Sequence, residues 1–249
     1  MELGMVGLGR MGANMAERVH RAGHRVVGFD PGEPARTQAG SRGIETVASL
    51  DALLQALPSP RAIWLMVPAG EAVDATIRSL LPSLSRGDVL IDGGNSFYKD
   101  SVRRAAELAA HGVAFIDSGT SGGVWGLREG YSLMIGGEEA AVERVRPVFE
   151  ALAPAANRGW ARVGPSGAGH FTKMIHNGIE YGMMQAYAEG FAILQHKDEF
   201  ALDLAQIAEL WRHGSVVRSW LLDLSPDALK QNPTLDGIAP YVEDSGEGR

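Results

Sequence analysis

The residues of this 249-residue chain best suited to acid–base chemistry lie in one run, Lys173-Met174-Ile175-His176-Asn177-Gly178-Ile179-Glu180-Tyr181. At about 100° per residue, Lys173, His176, Asn177 and Glu180 fall near 0°, 300°, 40° and 340°, a single helical stripe about 100° wide with Tyr181 at its border. A lysine and a carboxylate on one face suit proton transfers on a hydroxy acid. Burial moves a lysine's pKa down and a carboxyl's up, so each becomes a usable donor or acceptor near neutrality. His176 could be a third titrating group or a hydrogen-bonded core residue. A polar stripe on an apolar helix could equally face water. No HExxH motif, no paired His and carboxylate cluster and no Cys is present, so no metal is implied.

A second set of residues points to a ligand rather than to proton transfer. An apolar run at Leu3–Val6 leads directly into Gly7-Leu8-Gly9-Arg10-Met11-Gly12, which opens a helix. Strand, glycine turn and helix in that order are the dinucleotide fingerprint. Gly7 permits the tight turn, Gly9 lets a pyrophosphate approach the backbone, and Gly12 allows helix and strand to pack closely. The backbone from Leu8 through Arg10 and Met11 lies at the helix N-terminus, whose N–H groups and dipole suit phosphate. Asp30, at the end of the second strand and 18 residues beyond Gly12, suits the adenosine ribose hydroxyls and would repel a 2′-phosphate, favouring NAD over NADP. Alternatively Asp30 only caps the Asp30-Pro31-Gly32 turn. Arg36 is too far along the chain to be placed beside a 2′-phosphate. Val67, ending the third main strand, and Asn95 complete the coenzyme candidates.

Asn95 belongs to Asp92-Gly93-Gly94-Asn95-Ser96, and a similar loop is Asp117-Ser118-Gly119-Thr120-Ser121-Gly122-Gly123. Both are expected after strands, where ligands bind in open α/β sheets. Asn95, Thr120 and Ser121 offer side-chain hydrogen bonds, and the glycines offer backbone N–H groups. Two ordinary capped βα turns would look the same.

The elements that must hold these residues follow from the pattern of the whole chain. Short apolar runs at Leu3–Val6, Arg25–Phe29, Ala62–Val67, Val89–Ile91, Ala114–Ile116, Leu133–Ile135 and, more weakly, Arg158–Val163 alternate with helices near 11–22, 50–57, 71–81, 98–111 and 138–152. This predicts an α/β, Rossmann-type, doubly wound parallel sheet. After the breaker cluster Gly164-Pro165-Ser166-Gly167 the strands stop, which predicts a dinucleotide-binding domain over 1–164 and an all-helical substrate and oligomerisation domain over 165–249. Its long central helix, about Gly169–His196, is apolar enough to be read as buried. A net charge of −7 disfavours a nucleic-acid grip, and zero Cys fits a reducing, cytoplasmic setting. No signal peptide or membrane span is expected.

Four motifs together resemble the 6-phosphogluconate dehydrogenase family: Gly7 to Gly12, Asp92 to Ser96, Asp117 to Gly126, and Gly167-Ala168-Gly169-His170-Phe171-Thr172-Lys173 through Gly182. The chain looks like the short, bacterial, NAD-linked branch, since Asp30 stands where NADP-linked members have Asn-Arg-Thr. The resemblance implies oxidative decarboxylation of 6-phosphogluconate to ribulose 5-phosphate, with Lys173 as general base and Glu180 as the acid that protonates C1. It implies that Asn95, Ser121, Gly122, Gly123, His176 and Asn177 hold the sugar acid and that Tyr181 meets its phosphate. It also implies a homo-oligomer, dimer or tetramer. The polar, glycine-rich stretch ending at Arg249 looks like a loop that family members follow with further helices, so the chain is expected to be cut short there. The rival readings are a β-hydroxyacid dehydrogenase of the gluconate or 3-hydroxyisobutyrate type and a non-catalytic nucleotide-binding protein.

Overall fold

Strand residues that are apolar at every position, rather than at alternate ones, need a core on each side of the sheet. The computed structural model, which describes residues 1–233 and Gly237, shows such a sheet. Leu3, Met5, Val26, Trp64, Val89, Ile91 and Ile116 enter one core, where Met15, Val19, Val145 and Phe149 from two helices meet them. Their neighbours Val6, Val27, Ile63, Leu65, Leu90 and Phe115 enter the other, against Leu53, Val73, Ile77, Leu80 and Leu108. The period-2 geometry of a strand thus sends successive residues into opposite cores.

The elements in order are β1 (Glu2–Val6), α1 (Arg10–Arg21), β2 (Arg25–Phe29), α2 (Glu33–Gly40), β3 (Glu45–Val47), α3 (Leu50–Gln55), β4 (Ala62–Leu65), α4 (Glu71–Leu80), β5 (Val89–Asp92), α5 (Tyr98–Ala109), β6 (Ala114–Ser121), α6 (Gly126–Glu129), β7 (Ser132–Gly136), α7 (Glu139–Leu152) and β8 (Trp160–Gly164). Sheet order is β3-β2-β1-β4-β5-β6-β7-β8. Its first six strands are parallel and run 3-2-1-4-5-6, the doubly wound order whose crevice opens between β1 and β4.

Two features correct the expectation of a purely parallel sheet with loops after each strand. β7 pairs antiparallel with β6. β6 also runs on to Ser121, so Asp117, Ser118 and Gly119 lie inside a strand rather than in a turn. Their glycine- and serine-rich composition reads as loop, but the antiparallel ladder with β7 keeps them extended. α2 and β3 carry too few apolar residues for a periodicity to show, although Glu33-Pro34 is a recognisable helix start.

The chain divides after Lys173 into two compact units. α8 (Ala168–Gln195) starts in the first and is followed in the second by α9 (Leu204–Trp211) and α10 (Trp220–Gln231). Asp203 and Ser219 cap these two helices by accepting hydrogen bonds from the N–H groups of Gln206 and Leu222. Leu204, Ala208 and Leu229 pack with Phe191 and Leu194 of α8. Burial of α8 on all sides is not what is found: Ile179 is 61% exposed and Ile193 72%. Among the described residues of this unit the two short helices cover only the Phe191 and Leu194 side. No helix among the described residues is long and apolar enough to cross a membrane. The glycine-rich stretch from Tyr241 to Arg249 lies outside the described residues.

Candidate active site

At the crevice end of β1 the chain turns through Gly7, whose φ of +94° favours glycine. A Cβ on Gly7 would lie 2.2 Å from the Met66 carbonyl oxygen, and one on Gly12 2.0 Å from the Gly7 carbonyl oxygen. These two glycines are therefore required by packing within the protein. Gly9 differs, being exposed, with nothing within 4 Å of where its Cβ would stand. Open space beside its backbone, next to the leading N–H groups of α1 at Arg10 and half-buried Met11, is what a pyrophosphate needs.

Asp30 closes this turn from the end of β2. Its Oδ2 accepts from the Leu8 N–H and its Oδ1 from the Gly32 N–H, both at 2.8 Å. It does cap the Asp30–Gly32 turn, and the same carboxylate ties that turn to the glycine loop. A carboxylate has about four acceptor positions, so two remain for ribose hydroxyls. Arg36 is nearer than its place in the chain suggested: its Nη1 donates to the Asp30 carbonyl at 2.7 Å and the Pro31 carbonyl at 3.0 Å. One turn of α2 brings it back over its own N-terminus. The open backbone at Gly9, the helix N-terminus and Asp30 together fit a dinucleotide.

Val67 links this turn to the next. Its Cγ1 would touch a Cβ on Gly7 at 3.4 Å, and its carbonyl oxygen one on Gly94 at 3.1 Å. The Asp92–Ser96 loop is then held by a buried charge cluster that sequence reasoning missed. Asp92 accepts from the Gly94 N–H at 3.1 Å, from Ser96 Oγ at 2.7 Å and from Arg104 Nη1 at 3.4 Å. The Arg104 side chain is wholly buried and also donates to Asp74 at 2.7 Å and to the Gly70 carbonyl at 3.1 Å. Arg104, with Arg103 beside it, holds the Asp74 carboxyl below the usual carboxylate range. The pair Arg103-Arg104 reads in sequence as a solvated face, and only the helical phase of α5 separates the buried arginine from the exposed one. Asn95 is presented, exposed, from the loop so fixed.

At the far side of the sheet, Ser121 ends β6 and Gly122 and exposed Gly123 follow it. Gly122, at φ +132°, packs against Tyr131. Burial pushes the Tyr131 phenol up to about 12. Thr120 Oγ1 turns back to donate to the Ser118 carbonyl at 3.2 Å. Lys173, in the second turn of α8, is only 8% exposed. The first turn of α8 is anchored on β6, where Asp117 accepts from the Gly167 N–H at 2.6 Å and the His170 N–H at 2.8 Å.

The rest of the stripe belongs to the second unit. Asn177 is buried, His176 Nδ1 lies 3.2 Å from Asn177 Oδ1 and 3.6 Å from Glu180 Oε2, and Tyr181 is exposed. The burial expected of Glu180 is absent, its side chain being 41% exposed. The structure thus brings Gly7–Gly12, Asp30, Val67 and Asn95 to one edge of the sheet and seats Lys173 on β6. It presents His176, Asn177 and Glu180 as neighbours on one helix.

This fold and these turns define a dinucleotide-binding dehydrogenase of the class that couples a Rossmann sheet to a long helix. Residues 2–161 match the family described as the NAD binding domain of 6-phosphogluconate dehydrogenase, and residues 169–199 match the 6-phosphogluconate dehydrogenase C-terminal domain. A NAD(+)-dependent, decarboxylating 6-phosphogluconate dehydrogenase of Haloferax volcanii is 47% identical over 231 residues, covering 93% of this chain and 76% of that protein. The chain belongs to the 6-phosphogluconate dehydrogenase family. Among solved structures, the Plasmodium falciparum 6-phosphogluconate dehydrogenase superposes with a TM-score of 0.87 at 29% identity, covering all of this chain and 56% of that one. A Mycobacterium tuberculosis 3-hydroxyisobutyrate dehydrogenase gives 0.76 at 27% identity, covering 90% and 74%.

Proposed function

We propose that this protein oxidises and decarboxylates 6-phosphogluconate, giving ribulose 5-phosphate and CO2, with NAD as the hydride acceptor. The observation that carries the reading is Lys173, a lysine buried on β6 at the start of a helix whose next two turns present His176, Asn177 and Glu180 on the same stripe. NAD, held by Gly7, Leu8, Gly9, Arg10, Met11, Gly12, Asp30, Val67 and Asn95, supplies hydride acceptance at the substrate carbon. Lys173 Nζ takes the C3 hydroxyl proton during oxidation and returns it to the C3 oxygen as the C1–C2 bond breaks. Glu180 then protonates C1 of the enediol. Asn95, Ser121, Gly122, Gly123, His176 and Asn177 orient the sugar acid, and Tyr181 meets its phosphate. The exposure of Glu180 suits a group that must collect a proton from water between turnovers.

In this reading residues 1–164 form the coenzyme domain and residues 165–249 the helical substrate and assembly domain. The protein works as a homo-oligomer in the cytoplasm. The 3-hydroxyisobutyrate type of reaction needs neither Glu180 nor Tyr181, because its substrate is neither decarboxylated nor phosphorylated. An absorbance assay for NADH coupled to CO2 detection decides between them. Equimolar NADH and CO2 from 6-phosphogluconate is expected, whereas NADH from 3-hydroxyisobutyrate without CO2 overturns the proposal.

A further inference from the structure

The buried carboxylate of Asp117 and the three glycines around it have no part in the mechanism just given. A Cβ on Gly119 would stand 2.4 Å from Lys173 Cβ and 2.8 Å from the Gly169 carbonyl oxygen. One on Gly169 would stand 2.4 Å from the carbonyl oxygens of both Asp117 and Met134, and one on Gly136 2.7 Å from the Gly169 nitrogen. Glycine at these positions lets the backbone of α8 lie directly on β6 and β7, closer than any side chain permits. Asp117, wholly buried, then fixes the rotation of the helix through the Gly167 and His170 N–H groups, as a capping residue borrowed from the neighbouring strand. Ser101 Oγ, 2.7 Å from His170 Nδ1, holds the same turn from α5. Lys173 is one turn further on, with its Cβ against the vacant face of Gly119.

We infer that Asp117 and Gly119 are positioning residues for Lys173, setting the place of its Nζ without touching substrate or coenzyme. The inference rests on the proton-transfer role proposed for Lys173, and its test has a readout that does not. The chain has four lysines, Lys99, Lys173, Lys197 and Lys230, so a protein labelled with ¹³C and ¹⁵N in lysine gives a small set of side-chain resonances that can be followed with pH. Gly119→Ala adds the one methyl group that must push Lys173 aside. Asp117→Asn turns one acceptor into a donor facing an N–H. Gly190→Ala is the control, on the same helix with nothing within 4 Å of the added carbon.

In Gly119→Ala the Lys173 titration is expected to move while those of Lys197 and Lys230 stay in place. Turnover of 6-phosphogluconate should fall on the order of 100-fold, the cost of about 1 Å of misplacement, with KM changed less than about threefold. Asp117→Asn should shift both readouts in the same direction by less, and Gly190→Ala should shift neither. Coenzyme affinity, measured by NADH fluorescence, should be preserved in all three. An unmoved Lys173 resonance in both β6 variants contradicts the inference, as does a moved resonance with full turnover. Loss of coenzyme binding in both contradicts it too, because the role would then be in folding. If the wild-type protein leaves 6-phosphogluconate untouched, the functional reading fails by itself and the Lys173 resonance still decides the positioning role.

Discussion

Glycines serve two different ends at the two ends of the sheet's crevice edge. In the turn after β1 they divide the work: Gly7 and Gly12 are demanded by the protein's own packing, while Gly9 faces open space. Where α8 meets β6, Gly119, Gly136 and Gly169 are all demanded by packing, and none faces open space. The first arrangement makes room for a ligand, and the second makes room for a helix that carries a reactive side chain. A glycine-rich motif is therefore evidence of close approach, and only the structure says what approaches.

The turns after β2 and β5 are braced by charge, and the largest expected effect comes from removing a brace. Arg104→Met leaves Asp92 buried without its cation and frees the Asp92–Ser96 loop. Breaking a buried pair in this way costs about 3–5 kcal/mol, which urea denaturation at pH 7 should show. Asp30 braces the other turn. Asp30→Ala should weaken NAD by about 1.5–3 kcal/mol in a fluorescence titration, the worth of a charge-assisted hydrogen bond. NADP affinity should rise relative to NAD because Arg36 stays nearby and the like charge is gone. An unchanged NAD to NADP ratio would reduce Asp30 to a turn brace.

The division of labour among the first glycines gives a sharper contrast. Gly12→Ala forces a methyl group against the Gly7 carbonyl and should lower both stability, by about 1–3 kcal/mol, and coenzyme affinity. Gly9→Ala should leave the melting temperature unchanged while weakening NADH binding. If Gly9→Ala destabilises as much as Gly12→Ala, the open space at Gly9 is not a ligand site.

Smaller effects come from titration. Asp74 has a folded pKa below its unfolded one, so its contribution is present above about pH 4 and is lost as pH falls through the lower folded value. Asp74→Asn should lower stability at pH 7 and flatten the acid limb. Tyr131 is raised to about 12 by burial, which penalises only the phenolate, so stability is full below about pH 10 and is lost as pH rises through about 12. Tyr131→Phe should flatten the alkaline limb, with little change at neutral pH. Denaturation curves measured across pH check both.

How legible each end was in the sequence follows the same contrast. The turn after β1 could be read because strand, glycines, helix and Asp30 are adjacent or regularly spaced. The bracing by Arg104 could not, because burial of one arginine of a pair depends on tertiary packing. Asp117 and Gly119 looked like turn residues, since nothing local announces an antiparallel partner such as β7. The stripe from Lys173 to Glu180 followed from helical geometry alone, but its exposure did not. The apolar residues of α8 predicted burial, and Ile179 and Ile193 show how composition fails where few of the described elements cover a helix.

The claim that Lys173 performs the first proton transfer is tested most directly by mixing Lys173→Met rapidly with NAD and 6-phosphogluconate and following NADH. A lost general base costs about 10²–10⁴ in rate, so NADH formation should all but stop, in the first turnover as well as in the steady state. Glu180→Gln, measured alongside, should still form NADH and CO2 in a transient that outruns ribulose 5-phosphate. NADH formation by Lys173→Met at a near wild-type rate would contradict the account.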